Sequence, residues 1–151
     1  MASIVSIAYS PPTEVPRPLD HYHREPAAEA MLLADRGIES DRKGKGDDRQ
    51  LNIMSAASLA QLREEGFHTG PGQMGEQIVL DGIDVDNLPA GAKLRLGHSA
   101  VVEVVEPCMG CDRFERIQGK LKKQARGRLG VMARVTASGK IAVGDAVDTI
   151  D

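Results

Sequence analysis

Residues 107–111 read PCMGC and contain both cysteines of the chain. A pair with this spacing is typical of a disulfide, half of a zinc site, a redox dithiol, or a reactive thiol with a neighbouring thiol. The segment 101–105 before it has the strongest strand pattern in the chain, and a helical pattern begins just after Cys111. We therefore expect Cys111 at or near a helix N-terminus, where the partial positive charge of the amide groups stabilises a thiolate.

Three alternatives for the cysteines stay open on the residues alone. A structural zinc site needs four ligands, so histidines would have to complete it, and the candidates are His21, His23, His68 and His98. None of these shows the usual spacing of paired histidine ligands. A thioredoxin-like dithiol is expected near a βαβ unit, whereas Cys108 follows a series of strands. Two buried, unreactive cysteines are as compatible with the residues as a reactive one, because free cysteine is often buried.

The composition excludes several function classes. The chain has 151 residues, a formal net charge of -3, two tyrosines, two phenylalanines and no tryptophan. General nucleic-acid binding and base stacking are therefore not expected. No apolar run reaches the ~18 residues that a membrane helix needs, and the N-terminus lacks the basic and apolar regions of a secretory signal. We expect a cytoplasmic protein that binds neither nucleic acid nor membrane.

The elements that must position the cysteines are mostly strands. Alternating or continuous apolar segments predict about seven strands, at 3–8, 50–54, 77–80, 93–96, 100–105, 131–136 and 141–147. Ser55 is a predicted N-cap for a short helix that stops at Gly66, and 112–124 is predicted as a second helix. Segment 27–33 fits either a strand or a short helix. Residues 11–26 hold five of the eight prolines, so we expect a surface loop outside the sheet.

This order of elements predicts the fold class. The strands do not alternate regularly with helices, which argues against a doubly wound parallel sheet. Many short strands with glycine-rich turns favour a mainly antiparallel barrel or sandwich with two short helices. No repeat or low-complexity linker divides the chain, and we expect one domain over 1–151.

Six segments, in order, resemble the MOSC domain, the module named for the C-terminal part of molybdenum cofactor sulfurases. They are RGIESDR at 36–42, RQLNI at 49–53, GQMGEQ at 72–77, the stretch from Gly82 to Leu94, PCMGC at 107–111, and VGD at 143–145. The resemblance covers roughly residue 27 to the C-terminus. Ser40 stands where the family usually has Gly, Gln77 where it usually has Asn, and Ala92 where it usually has Asp.

The resemblance implies a fold and a set of site residues. The fold is a mostly β, mainly antiparallel barrel of the type seen in pyruvate kinase, with a cleft that presents one reactive cysteine. The matching residue is Cys111, which would carry sulfur or ligate molybdenum, and Cys108 is its neighbour. The residues expected to bind the molybdenum cofactor are Arg42, Arg49, Glu76, Gln77 and Arg113. Of these, Arg42 and Arg49 are candidates for its anionic phosphate, because arginines suit an anion, and Arg113 is expected to help hold the Cys111 thiolate.

The resemblance also implies function classes. The first is a stand-alone MOSC protein that binds the molybdenum cofactor or carries sulfur, with a cysteine desulfurase or a molybdoenzyme as partner. A second is a molybdenum-dependent reductase of N-hydroxylated compounds, which needs an electron-donor partner. A third is a non-catalytic barrel that binds a partner and keeps both cysteines in its core. No pyridoxal phosphate domain is present in these residues, so sulfur abstraction from free cysteine is not implied.

Overall fold

A computed structural model describes residues 1–13, 15–41 and 50–151, and its regular elements are mostly strands. The strands are Ser3–Tyr9 (β1), Glu25–Ala27 (β2), Glu29–Leu33 (β3), Gly37–Ile38 (β4), Leu51–Ser55 (β5), Ile78–Asp81 (β6), Lys93–Leu96 (β7), Ala100–Pro107 (β8), Val131–Ala137 (β9), Gly139–Ala142 (β10) and Val147–Ile150 (β11). The helices are Ala56–Glu64 (α1) and Asp112–Gln118 (α2), with 3-10 turns at Val85–Asn87 and Lys122–Gln124.

The strands form two sheets. The larger has eight strands in the order β11-β7-β8-β9-β5-β6-β1-β2, and the smaller has the order β10-β3-β4. Among the strand pairs of the described residues, only β5 and β6 are parallel. That pair needs a crossover connection, and α1 supplies it. The expectation of a mostly β, mainly antiparallel fold with two short helices is confirmed.

The N-terminal end of β1 lies close to the N-terminal end of β11. The Ile4 amide donates to the Asp145 carbonyl at 2.9 Å, and the Val147 amide donates to the Ala2 carbonyl at 3.0 Å. The strand order itself is open, with β11 and β2 at its edges. The closed barrel implied by the resemblance stays a prediction.

Two apolar clusters hold the fold together, and the smaller one positions the cysteine segment. The larger is aliphatic and lies within the sheets, with Ile4, Leu51, Ile78, Leu94 and Val135 among its buried members. The smaller joins α1 and α2 to β5 and β6 and consists of Met54, Leu59, Leu62, Phe67, Met74, Val79, Phe114, Ala125 and Leu129. Phe114 stacks on Phe67 with ring centroids 6.1 Å apart. This contact ties the first turn of α2 to the body of the protein.

Local sequence signals predicted some boundaries well and others poorly. Ser55 is the N-cap of α1 and its side chain accepts from the Ser58 amide, as predicted. The second helix is shorter than the predicted 112–124 because Gly119 adopts a left-handed conformation (φ 67°) and ends it. The predicted strand 141–147 is divided by a turn between β10 and β11. Segment 27–33 is extended rather than helical, since β3 pairs with β10.

No helix among the described residues combines the length and apolar character that crossing a membrane would require.

Candidate functional site

A cleft of about 220 Å³ opens beside the cysteine segment. One wall is the N-terminal end of α2 with Cys108 and Cys111, and the floor includes Asn52 of β5 and Met132 of β9. The opposite wall belongs to residues 15–24, which we call the strap. The strap contributes Arg17, Pro18, Tyr22, His23 and Arg24 to the cleft. The strap therefore lies outside the sheet as expected and forms part of a candidate site, whereas Glu25 and Pro26, predicted in the same loop, belong to β2 of the larger sheet.

Cys111 is exposed and occupies the N-cap position of α2. The structure thus confirms its predicted place at a helix N-terminus. An N-cap side chain often accepts from the first-turn amides, but within the described residues the Cys111 side chain makes no such bond. Its sulfur is therefore accessible and is not used as a helix cap.

Cys108 differs from Cys111 in its surroundings. It is half-buried and packs against the smaller apolar cluster, while its amide donates to the Gly130 carbonyl at 3.0 Å. Both cysteines are free thiols. Of the two sulfur atoms, that of Cys111 is the more accessible to a reagent in solution.

Arg24 is the buried cation of the cleft. Its side chain is 10% exposed and its Nη1 lies 3.7 Å from Oδ1 of the buried Asp41. Within the described part of the chain, Nε and Nη1 of Arg24 have no hydrogen-bond partner. Burial lowers the pKa of this guanidinium, while the negative charges of Asp41 and Glu76 oppose that shift. Arg24 is therefore a desolvated cation whose Nε and Nη1 donors are unused within the described residues.

Arg113 faces the strap. Its Nη2 donates to the Pro18 carbonyl at 3.3 Å and the His21 carbonyl at 3.4 Å, and its guanidinium lies 4.8 Å from the centre of the Tyr22 ring. Burial raises the pKa of the Tyr22 hydroxyl to about 12, and the neighbouring Cys111 adds to the shift. The predicted cofactor-binding role of Arg113 stays a prediction, and its observed contacts are with the strap.

Gln77 lies beneath the cleft in a buried polar network. Its Nε2 donates to Asp41 Oδ2 at 3.0 Å, and its Oε1 accepts from the Asn52 amide at 2.7 Å. Asp41 Oδ1 also accepts from the Ser10 amide at 2.9 Å. Among the described residues, the buried Asn52 Oδ1 has no hydrogen-bond partner. The longer Gln at position 77 thus links two segments under the cleft, and its predicted contact with a cofactor is not tested.

Glu76 fixes the glycine-containing turn at 72–75. Its two carboxylate oxygens accept from the Gly72 amide at 2.9 Å and the Met74 amide at 3.0 Å. Burial raises the pKa of this carboxyl, and these two amide bonds act in the opposite direction. Its predicted role near a cofactor stays a prediction.

Two predicted residues, Arg42 and Arg49, lie outside the described residues. Within the described ranges, no group of three or more His, Cys, Asp or Glu side chains is arranged to hold a metal ion. A metal at Cys111 would therefore need most of its ligands from a cofactor. Sequence reasoning missed Arg24 and Tyr22, because a proline-rich segment indicates irregular structure without indicating what it covers.

Comparison with known proteins adds a family and a fold. The family model of the MOSC domain matches residues 40–148. No curated protein sequence matches the chain. Two solved structures with similar folds are YiiM from Geobacillus stearothermophilus and YuaD from Bacillus subtilis. The first has a TM-score of 0.76 and 20% identity over 100% of this chain and 76% of that chain. The second has a TM-score of 0.73 and 17% identity over 97% of this chain and 94% of that chain.

A third similar structure is YiiM from Escherichia coli, with a TM-score of 0.66 and 21% identity over 99% of this chain and 70% of that chain. At these identities the structural matches show a shared fold.

Proposed function

Because the chain belongs to the MOSC domain family, we propose that its cleft binds a molybdenum cofactor and that the Cys111 thiolate ligates its metal or carries sulfur for it. The observation that carries this proposal is that one cleft is lined by both an exposed thiol and a buried cation. Cys111 opens into the same cleft as Arg24, which has unused donors in the described structure. Thiolate is a ligand that molybdenum accepts, and a guanidinium pairs with phosphate oxygens.

The polar groups of the cleft fit such a cofactor. Arg17 and Arg24 supply positive charge for the pterin phosphate, and the unpartnered Asn52 Oδ1 can accept a hydrogen bond from a pterin N–H. A cleft of about 220 Å³ is below the ~300 Å³ at which small-molecule pockets usually begin. It would hold one end of the cofactor, with the remainder at the cleft mouth. When bound, the cofactor supplies the metal to which the thiolate is a ligand.

For sulfur transfer, Cys111 itself performs the step. The Cys111 thiolate attacks the outer sulfur of a persulfide on a partner, such as a cysteine desulfurase. A new sulfur–sulfur bond forms on Cys111 as the partner's sulfur–sulfur bond breaks, and the partner leaves as a thiolate. No net oxidant is needed, because one persulfide is exchanged for another. Cys108 lines the same cleft and supplies a second thiol that could displace the outer sulfur from Cys111.

The test of cofactor binding is the metal content of protein made in a host that synthesises the cofactor. We expect molybdenum and releasable pterin to copurify with the wild type and with Cys108→Ser. We expect Cys111→Ser to copurify with less pterin and less molybdenum in the same proportion, because the cofactor holds the metal and loses only its bond to the thiolate. Wild-type protein free of both molybdenum and pterin would contradict cofactor binding.

The sulfur-carrier version has its own test. The purified protein is incubated with a cysteine desulfurase and cysteine, then analysed by mass spectrometry after alkylation. A gain of one sulfur atom on Cys111, absent from Cys111→Ser, is expected. Bound molybdenum without sulfur loading would instead favour the molybdenum-dependent reductase, which is assayed with an N-hydroxylated substrate and an electron donor.

We also propose that the larger sheet closes as a barrel through β1 and the segment before β11. The backbone bonds at Ile4 and Val147 support this, since they join strands at opposite parts of the sheet order. Closure would satisfy edge groups that otherwise face solvent.

A further inference from the structure

The strap lies against a turn whose glycines leave room for it. A β-carbon added at Gly72 would come within 2.6 Å of the Arg24 Cβ, and one added at Gly75 would come within 3.0 Å of the Tyr22 Cζ. Both glycines also have a positive φ, 75° and 84°, which other residues rarely adopt. The absence of side chains at these two positions is therefore needed for the strap to approach.

The glycine turn is itself held rigidly. Glu76 accepts from two of its amides, and Gln118 Nε2 of α2 donates to the Gln73 carbonyl at 2.9 Å. Buried hydrogen bonds of this kind keep the turn in one conformation. The turn is thus a fixed bed on which the strap rests.

On the other side, α2 holds the strap. Arg113 donates to the carbonyls of Pro18 and His21, and its guanidinium lies over the Tyr22 ring, 4.8 Å from the ring centre. A guanidinium can make both kinds of contact at once, since its donors lie at the edges of a plane whose face can lie against a ring. Arg113 follows Cys111 by two residues, so the same helix end carries the thiol and clasps the strap.

We propose that Gly72, Gly75 and Arg113 are positioning residues that dock the strap, and that docking brings Arg24, as an anion-binding residue, into the cleft that Cys111 also lines. This inference rests on the proposed function for its ligand, because it assigns Arg24 to an anionic group. It adds that the strap is a movable wall: with Tyr22 undocked, Arg24 loses its place and the anion site is lost while Cys111 stays accessible.

Gly75→Ala tests the proposal, with Gly127→Ala as a matched control. Both glycines have a φ of 84°, so both substitutions strain the backbone equally. A β-carbon at Gly127 meets nothing within 4 Å, whereas one at Gly75 meets the Tyr22 ring. Only the first substitution should displace the strap.

Two readouts follow strap docking and anion binding separately. In a Tyr9→Phe background, Tyr22 is the only tyrosine and the chain has no tryptophan, so acrylamide quenching of the fluorescence reports on Tyr22. Binding of inorganic phosphate is measured by phosphorus NMR. We expect Gly75→Ala and Arg113→Gln to increase quenching and to weaken phosphate binding about tenfold, the equivalent of one charge-assisted hydrogen bond. Arg24→Gln should weaken phosphate binding equally without changing the quenching.

The outcomes separate this inference from the proposed function. The inference would be overturned if Gly75→Ala and Gly127→Ala showed equal quenching and equal phosphate affinity, whatever stability the two variants lose. Increased quenching with unchanged phosphate binding would overturn the link from the strap to Arg24. If the wild type fails to bind phosphate, the anion site is overturned whether or not molybdenum copurifies with the protein.

Discussion

Single residues in the cleft are set by opposing physical effects. Cys111 is reachable because the N-cap position lies at the surface and its side chain makes no capping bond within the described structure. Arg24 is buried, and burial removes water from its charged guanidinium. Asp41, 3.7 Å away, compensates for part of that cost. A buried cation with unused donors is unfavourable unless a ligand uses them. The pairing of these two residues is the chemical basis for expecting an anionic ligand.

The first prediction compares the two cysteines. Iodoacetamide should alkylate Cys111 several times faster than Cys108, because Cys108 is half-buried against apolar side chains. Rates are measured by mass spectrometry on the single variants Cys108→Ser and Cys111→Ser. If Cys111→Ser keeps the fast-reacting thiol, the assignment of the reactive sulfur is wrong.

A second prediction concerns Glu76. Glu76→Gln should lower the free energy of unfolding by about 1–3 kcal/mol, because an amide nitrogen replaces one of two acceptor oxygens and leaves a backbone amide unpaired. Urea unfolding at neutral pH measures the change. The exposed Glu64→Gln is the control and should change stability by less than about 0.5 kcal/mol. Equal effects of the two variants would remove the structural role of Glu76.

Among the elements, the strap and α2 are the pair that shape the cleft. α2 is short, but the contact between Phe114 and Phe67 anchors it, and Gly119 ends it. The strap has no regular structure and depends on side-chain contacts from α2 and from the turn at 72–75. Elements with few backbone bonds of their own are the first to open locally. The strap is therefore the part of the cleft wall most sensitive to single substitutions.

The third prediction follows from the raised pKa of Tyr22. Burial shifts the pKa of the folded-state hydroxyl to about 12, above the ordinary value of about 10. The neutral phenol therefore adds stability below pH ~10, and this contribution is lost as the pH rises through about 12. Tyr22→Phe cannot ionise and should lack this dependence. Urea unfolding at pH 8 and pH 11 should show the wild type losing stability relative to Tyr22→Phe, and a constant difference would contradict the burial of Tyr22.

For the whole molecule, the arrangement of the two sheets decides where the cleft lies. The parallel pair of β5 and β6 brings Asn52 and Gln77 side by side, and the antiparallel pair of β8 and β9 carries the chain to Cys108. The cysteine segment and the strap are about 90 residues apart along the chain. They meet through side-chain contacts, since Arg113 donates to the carbonyls of Pro18 and His21 and both segments line the cleft.

The fourth prediction tests closure of the larger sheet. The amides of Ile4 and Val147 should exchange hydrogen as slowly as the central amides of β8 and β9, because each donates to a carbonyl across the sheet ends. Hydrogen exchange followed by NMR measures both. Exchange at the rate of an exposed amide would contradict a closed barrel.

Local signals in the sequence determined much of the framework. Ser55 begins α1 because its hydroxyl caps the helix. Cys111 lies at the start of α2 because a strand ends before it and a helical pattern begins after it. These features depend on neighbouring residues, so propensity and periodicity are sufficient to predict them. The family resemblance, carried by short ordered motifs, is confirmed by the match over residues 40–148.

Tertiary structure alone decided what faces Cys111. The prolines of the strap exclude regular structure but carry no information about the surface that the segment covers, and so Arg24 was not predicted in the cleft. Arg113 is predicted to bind the cofactor and to help hold the Cys111 thiolate, and its hydrogen bonds to Pro18 and His21, residues more than 90 positions away, are not encoded in that local pattern. Such contacts arise from packing between distant segments, and no local pattern encodes which buried donor remains unpaired once that packing is complete.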